Sequence, residues 1–347
     1  MGRKDKRFSI NLHQQAFNTF HKMLLSGENA DKGKSKQDGT SKDKIFSYST
    51  FETYLKHTDY FIRWIKAEHP DCTTLKAAKK YVNNFLDERC DSTNANGRPL
   101  SAWTIQLEAA ALNKLYGIDK ADVNRFQPPT RHRQDIIRSR VSTAQDKHFS
   151  PEKNALLITF CKSTGCRRNV LEKLEGRDYW TKEKMRGTMD ILSKKSSLSK
   201  DEKKIYIAIK DALTVFPNES DFLHHRKDKG GRDRFAPIIG ADKSEVICRL
   251  RATQPTKKVW GKVSKNADIH SYRADYASAI YKGSARDIKD IPFDKINRGS
   301  GKRYQSEVYA CRGSFKGRKL DKAAMLKASK ALGHNRLDVV ANNYIRY

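Results

Sequence analysis

Four short segments of the chain carry residue types suited to chemistry on a phosphodiester. Thr164-Gly165-Cys166-Arg167 closes one helical pattern before another begins at Asn169. Lys229 lies in the turn-forming run Asp228-Lys229-Gly230-Gly231-Arg232-Asp233. His270-Ser271-Tyr272-Arg273 puts His270 and Arg273 on one helical face. Leu332-Gly333-His334 is followed by Tyr344. A phosphodiester exchange without metal needs a nucleophile at phosphorus, and tyrosine can supply one by forming a covalent phosphotyrosine. Charge developing on the non-bridging oxygens needs fixed donors, and the planar fork of arginine pairs with two phosphate oxygens at once. The leaving 5′ oxygen needs a proton, which a lysine or histidine on a hairpin can deliver. Two Arg, one Lys, two His and a Tyr are the set this reaction requires. No carboxylate cluster is present in the pattern that would hold Mg²⁺ for a two-metal route, so the sequence predicts no metal and no other cofactor.

Each of these residues, taken singly, has an ordinary structural reading. Arg167 alone is a surface arginine near a helix end, and Lys229 is a solubilising residue on a Gly-Gly turn whose glycines serve positive φ. His334 fits a loop between helices, and Tyr344 fits a packing role with its hydroxyl hydrogen-bonded. Tyr272 and Tyr276, flanking Arg273, read as core. The functional reading rests on the ordered set, not on any member of it.

The elements that must position this set follow from periodicity and punctuation. Residues 1–44 are polar and basic, and Gly27 to Lys44 reads as a flexible linker after a short helix around Phe17 to Leu25. Ser49-x-x-Glu52 reads as a capping box opening a helix with Phe51, Leu55, Phe61, Ile62 and Ile65 on one face, stopped at Pro70. A second helix carries Leu75, Ala78, Val82, Phe85 and Leu86, and a third runs from a Ser101 cap to Gly117. Residues 45–130 thus form a small helical domain, and the basic, poorly periodic stretch from Gln127-Pro128-Pro129 through about Asp146 reads as an interdomain linker, placed at 131–148. From 149 to 347 a larger mixed domain follows, with helices at Leu156 to Phe160 and Ser199 to Phe216 and a hairpin within Phe222 to Ile239. The fold class is therefore mainly α with a small β-sheet.

Charge identifies the partner class. Lys and Arg number 70 against 40 Asp and Glu, a formal net charge of +30. Self-repulsion of that size usually answers a polyanion, which points to nucleic acid. No stretch approaches the roughly 18 consecutive apolar residues of a membrane span. The charged start has no apolar run behind it, which predicts no secretory signal. The six cysteines lack CxxC or metal-ligand spacing and read as reduced thiols of a cytoplasmic protein.

The four segments, in this order, resemble the signature of the tyrosine recombinase (phage integrase) family: a TGxR turn, a GKGxKxRxxP hairpin, an HxxR helix, and LGH before the nucleophilic tyrosine. The resemblance covers about residues 45–347. It implies that Arg167 and Arg273 clamp the scissile phosphate, Lys229 is the general acid, His270 and His334 assist proton transfer and bind phosphate, and Tyr344 attacks. It implies a helical core-binding domain joined to a catalytic domain in a C-shaped clamp around DNA. It further implies a 3′-phosphotyrosine intermediate, strand exchange through a Holliday junction, a homotetramer on two double-stranded DNA sites, and an accessory DNA-bending or excision factor. An integrase of a bacterial mobile element, acting at the nucleoid, is the corresponding expectation.

The chain departs from the family pattern in several places. Val170 stands where the family usually has Glu, Arg168 adjoins Arg167, and the ten residues from His334 to Tyr344 exceed the usual spacing by one. Thr181 to Asp221 and Ile291 to Asp321 are longer than in compact relatives, and the second could contact DNA. In relatives a helix after the tyrosine often packs on a neighbouring protomer. Three residues follow Tyr344 here, which predicts a contact that is short, absent or made elsewhere. Tyr347 is the alternative nucleophile, almost one helical turn further on. A type IB topoisomerase-like relaxing enzyme and a catalytically inactive DNA-binding protein of the same fold are the alternative functions.

Overall fold

The structure is a computed structural model, which describes residues 11–132, 149–228, 232–291, 307–312, 315–334 and 336–346. The chain is mainly helical with small antiparallel sheets and divides into two compact units, residues 1–131 and 132–347.

In the first unit, α1 (Leu12–Gly27) starts at Asn11, whose side chain accepts from the Gln14 amide. It is followed by α2 (Lys32–Gln37) and a 3₁₀ turn over Thr40–Asp43. Next come α3 (Tyr48–Glu68), α4 (Leu75–Ala78), α5 (Val82–Asp91) and α6 (Ala102–Tyr116). Ser101 caps α6 at one end, and Gly117 ends it in the left-handed conformation that glycine adopts without cost. Phe61, Ile62 and Ile65 of α3 pack with Phe85 and Leu86 of α5 and Ile105 and Leu112 of α6.

Two expectations are corrected in this unit. The cap of α3 is Ser47, which accepts from the Thr50 amide, and not Ser49. The helical unit does not begin at 45 either. Leu12, Ala16 and Phe20 of α1 are buried in the same core, and the Ile45 amide donates to the Met23 carbonyl at 2.8 Å. Gly27 permits that return, because a Cβ there would lie 2.1 Å from the Ile45 carbonyl oxygen. The segment read as a flexible linker is thus helix and turn folded back on α1.

The second unit opens with α7 (Ala155–Thr164) and the single turn α8 (Arg168–Leu171). β1 (Tyr179–Thr181), α9 (Lys182–Ser193) and α10 (Lys200–Val215) follow, the last entered through a capping box of Ser199 and Glu202. β2 (Asp221–Asp228) and β3 (Arg232–Pro237) form the expected hairpin, and β1 adds antiparallel to β2, giving the order β1-β2-β3. Then come α11 (Lys243–Ala252) and α12 (Ile269–Lys282). The antiparallel pair β4 (Val308–Ala310) and β5 (Lys319–Asp321) leads into α13 (Lys322–Leu332) and α14 (Leu337–Asn343). One apolar cluster joins α10, the hairpin and α12 to α13 and α14, and a second gathers α7, α8 and α11 against Leu223 and Ile238. Most of the basic stretch between Ile291 and Asp321, and all of 131–148 but Arg131 and His132, lie outside the described residues.

Candidate active site

Gly165 ends α7 at φ 58°, and its missing side chain is required by packing as well as conformation: a Cβ would lie 2.2 Å from the Tyr276 ring. The turn that this glycine permits places Arg167 at the start of α8. Arg167 ion-pairs through Nη1 with Asp228 and donates from Nη2 to the Leu332 carbonyl at 3.5 Å. Its neighbour Arg168 does other work, donating to the carbonyls of Ser264 and Ala267, each at 2.8 Å, and so fastening α8 to the loop before α12. Geometry therefore separates the two adjacent arginines. Val170 is buried in the apolar cluster, and the carboxylate facing Arg167 is Asp228 of the hairpin.

Arg273, on α12, is 1% exposed. It donates to the Gly165 carbonyl from Nη1 and to the Leu332 carbonyl from Nη2. Burial, then the positive charges of Arg234 and Arg167, push its pKa down to about 9, with Tyr344 opposing the shift. It remains a cation at neutral pH, but one in surroundings that favour the arrival of an anion.

A third arginine joins these two. Arg234 of β3 donates to the Ala331 carbonyl, to Asp228 Oδ2 at 3.2 Å and to His225 Nδ1 at 2.8 Å. Arginine has no acceptor, so His225 Nδ1 must accept and its proton resides on Nε2. Asp228, His225 and Arg234 were not picked out as site residues from sequence. In a regular strand His225 and Asp228, three apart, would face opposite sides. A bulge between them, with Lys227 at φ 44°, supplies one extra residue and turns both toward Arg234. The available signal was polar residues following Phe222 and Leu223 in one arm of the hairpin, where Phe222 through His225 are all buried.

The carboxyl end of α13 organises the three arginines. Helix ends leave their last carbonyls without intrahelical partners. Here the amides of Gly333 and His334 close those of Lys330 and Ser329, each at 2.9 Å. The carbonyls of Ala331 and Leu332 go to the arginines. The negative end of the helix dipole and Asp228 thus face the buried cations. Gly333, at φ 67°, is where Arg234 passes, since a Cβ would approach its Cδ to 2.7 Å.

Tyr344 lies just past α14 and is 5% exposed. Its ring centroid is 5.3 Å from that of His270 and 5.2 Å from that of His334, and the Arg273 Cζ stands 5.6 Å from it. His270 is exposed at the surface while its neighbours partly desolvate its ring. Partial burial, then the charge of Arg273, lowers its pKa below the ordinary 6.5, which leaves it neutral at pH 7 and able to accept a proton. Five of the six expected site residues therefore converge: Arg167, His270, Arg273, His334 and Tyr344. Lys229, the sixth, and the alternative nucleophile Tyr347 lie outside the described residues, although both strands flanking Lys229 are described. Tyr276 is core, as expected, its hydroxyl donating to the Pro237 carbonyl at 2.8 Å. Among the described residues no helix is long and apolar enough to cross a membrane. Neither a scan against models of protein families nor a search of curated proteins returns a match to this chain.

Proposed function

We propose that the chain is a tyrosine-type site-specific DNA recombinase, an integrase that moves a bacterial mobile element. The observation that carries this reading is a single tyrosine ring within 5.6 Å of His270, His334 and Arg273, beside two further buried or half-buried arginines. In this reading Arg167 and Arg273 hold the non-bridging oxygens of the scissile phosphate. The Tyr344 oxygen bonds to phosphorus as its proton passes to a neutral histidine, His270 being suited by its lowered pKa. The bond to the 5′ oxygen breaks, and Lys229 protonates the departing oxygen. A 3′-phosphotyrosine and a free 5′ hydroxyl remain. The 5′ hydroxyl of a partner duplex then reverses the step, so the energy of the broken bond is conserved and strands exchange through a Holliday junction. The helical first unit serves as the core-binding domain, and a homotetramer on two sites is the working assembly, with an accessory bending or excision factor setting direction.

The test is covalent trapping. DNA selected from a random pool for binding to this protein is built into a nicked suicide duplex, from which the 5′ fragment diffuses away. Wild-type protein is expected to form an adduct stable to denaturant, Tyr344→Phe none, and Tyr347→Phe the wild-type amount. Arg273→Ala is expected to slow adduct formation about 100- to 1,000-fold, the usual cost of removing one donor to a developing oxyanion. Loss of the adduct in Tyr347→Phe alone would transfer the nucleophile. Tight binding with no adduct would leave a DNA-binding protein without catalysis, and site-independent relaxation of plasmids would favour a topoisomerase.

A further inference from the structure

The chain immediately beyond the candidate nucleophile is fastened to the helix that carries the phosphate-binding arginine. α14 spans only seven residues. A helix this short is not rigid by its own hydrogen bonds, so something else must fix Tyr344 at its end. Ser278 of α12 does so from one side: its Oγ donates to the Tyr344 carbonyl at 3.0 Å and accepts from the Arg346 amide at 2.8 Å. The Arg346 side chain completes the clasp, donating to Asp275 at 2.6 Å and to the Ser271 hydroxyl at 2.7 Å. Ser271, Asp275 and Ser278 fall at i, i+4 and i+7, one face of α12. His270 and Arg273 belong to the same helix, and Lys162 of α7 reaches Asp275 at 3.5 Å. One rigid element therefore holds both the anion-binding group and the backbone at and just after the tyrosine.

We propose that Arg346 is a positioning residue, which clips the segment after α14 onto α12 and so presents Tyr344 to the arginines of its own subunit. The proposal rests on the recombinase reading. Arg346 touches no reacting atom in this scheme. It acts through Tyr344, and its loss lets the tyrosine sample positions away from the phosphate.

The experiment is single-turnover adduct formation on the suicide duplex at saturating DNA, with DNA affinity and thermal unfolding measured on the same preparations. Arg346→Ala is expected to slow adduct formation by on the order of 100-fold, the cost of misplacing a reacting group by about 1 Å. DNA affinity and unfolding temperature are expected to stay at wild-type values. Arg346→Lys, which keeps a charge for Asp275 without the fork, should recover part of the rate. Ser278→Ala, which leaves the helix and the ion pair in place, should slow it to a lesser degree. A mixture of Tyr344→Phe and Arg273→Ala subunits should form no more adduct than either alone. Wild-type rates in Arg346→Ala, a loss matched by unfolded protein, or restored cleavage in the mixture would each overturn the proposal while leaving the recombinase reading intact. A wild-type protein that forms no adduct would remove both.

Discussion

Among the described residues, Asp228 is the one carboxylate that ion-pairs with two of the three arginines of the site, meeting both Arg167 and Arg234 from a 3% exposed side chain. Removing one partner of a buried ion pair costs far more than the pair contributes, because uncompensated charge stays behind. Asp228→Ala is therefore expected to lower unfolding free energy by about 3–5 kcal/mol, read from urea unfolding. His225 makes a separate, pH-dependent contribution. Burial, then the charges of Arg234, Arg273, His224 and Arg167, holds its pKa well below 6.5. In the unfolded chain the same imidazole takes up a proton near 6.5, so below that pH the unfolded state binds more protons. The contribution is whole above about pH 6.5 and is lost as pH falls toward the lower folded-state value. Unfolding free energy should decline from pH 6.5 to 5 by at most about 1.4 kcal/mol per unit for this group. The decline should be shallower in His225→Gln, with equal slopes in the two proteins counting against the assignment. The residues that belong to spaced motifs, Arg167, His270, Arg273, His334 and Tyr344, were legible because their spacing survives in one dimension. Asp228 and His225 were not, because a bulge decides which face they share.

At the scale of elements, the contact of Gly165 with Tyr276 fixes α7 against α12 and so sets where Arg273 finds the Gly165 carbonyl. Gly165→Ala meets both a left-handed φ, worth about 1–2 kcal/mol for an L-residue, and a ring that must move. The expected result is a loss of at least about 2 kcal/mol in stability, with adduct formation falling further than the folded fraction does. Melting curves and trapping on the same sample check it, and full activity per folded molecule would show that the contact does not position Arg273. Helix ends marked by local chemistry were legible: Ser101 and Gly117 bound α6, and Ser199 with Glu202 opens α10. α1 was seen only in part, since Leu12, Ala16 and Phe20 are scattered among polar residues and their burial depends on Ile45, beyond a polar stretch. α2 was missed altogether, because Lys32–Gln37 has no apolar periodicity to betray a helix.

For the whole molecule, the net charge of +30 is the dominant electrostatic fact. A protein that neutralises phosphates releases condensed counterions, so affinity falls with salt at a slope near −0.9 per phosphate contact. Contacts to about six phosphates would give log K against log salt a slope of roughly −5, measurable by fluorescence anisotropy between 50 and 300 mM salt. A flat dependence would contradict binding through the backbone. The two-unit division was legible from the Pro-rich break near Gln127-Pro128-Pro129, whereas the true extent of the first unit was not, since that rests on α1 packing into its core.

The junction at the end of α13 also bears on how such a site can change over time. Its acceptors for the three arginines are the carbonyls of residues 331 and 332, which every amino acid possesses. No substitution at Ala331 or Leu332 can delete them; it can only disturb them through packing or helix geometry. Inherited variation in these side chains is therefore filtered by volume, not by chemistry, and the wiring of the cluster can persist while the letters that spell α13 drift.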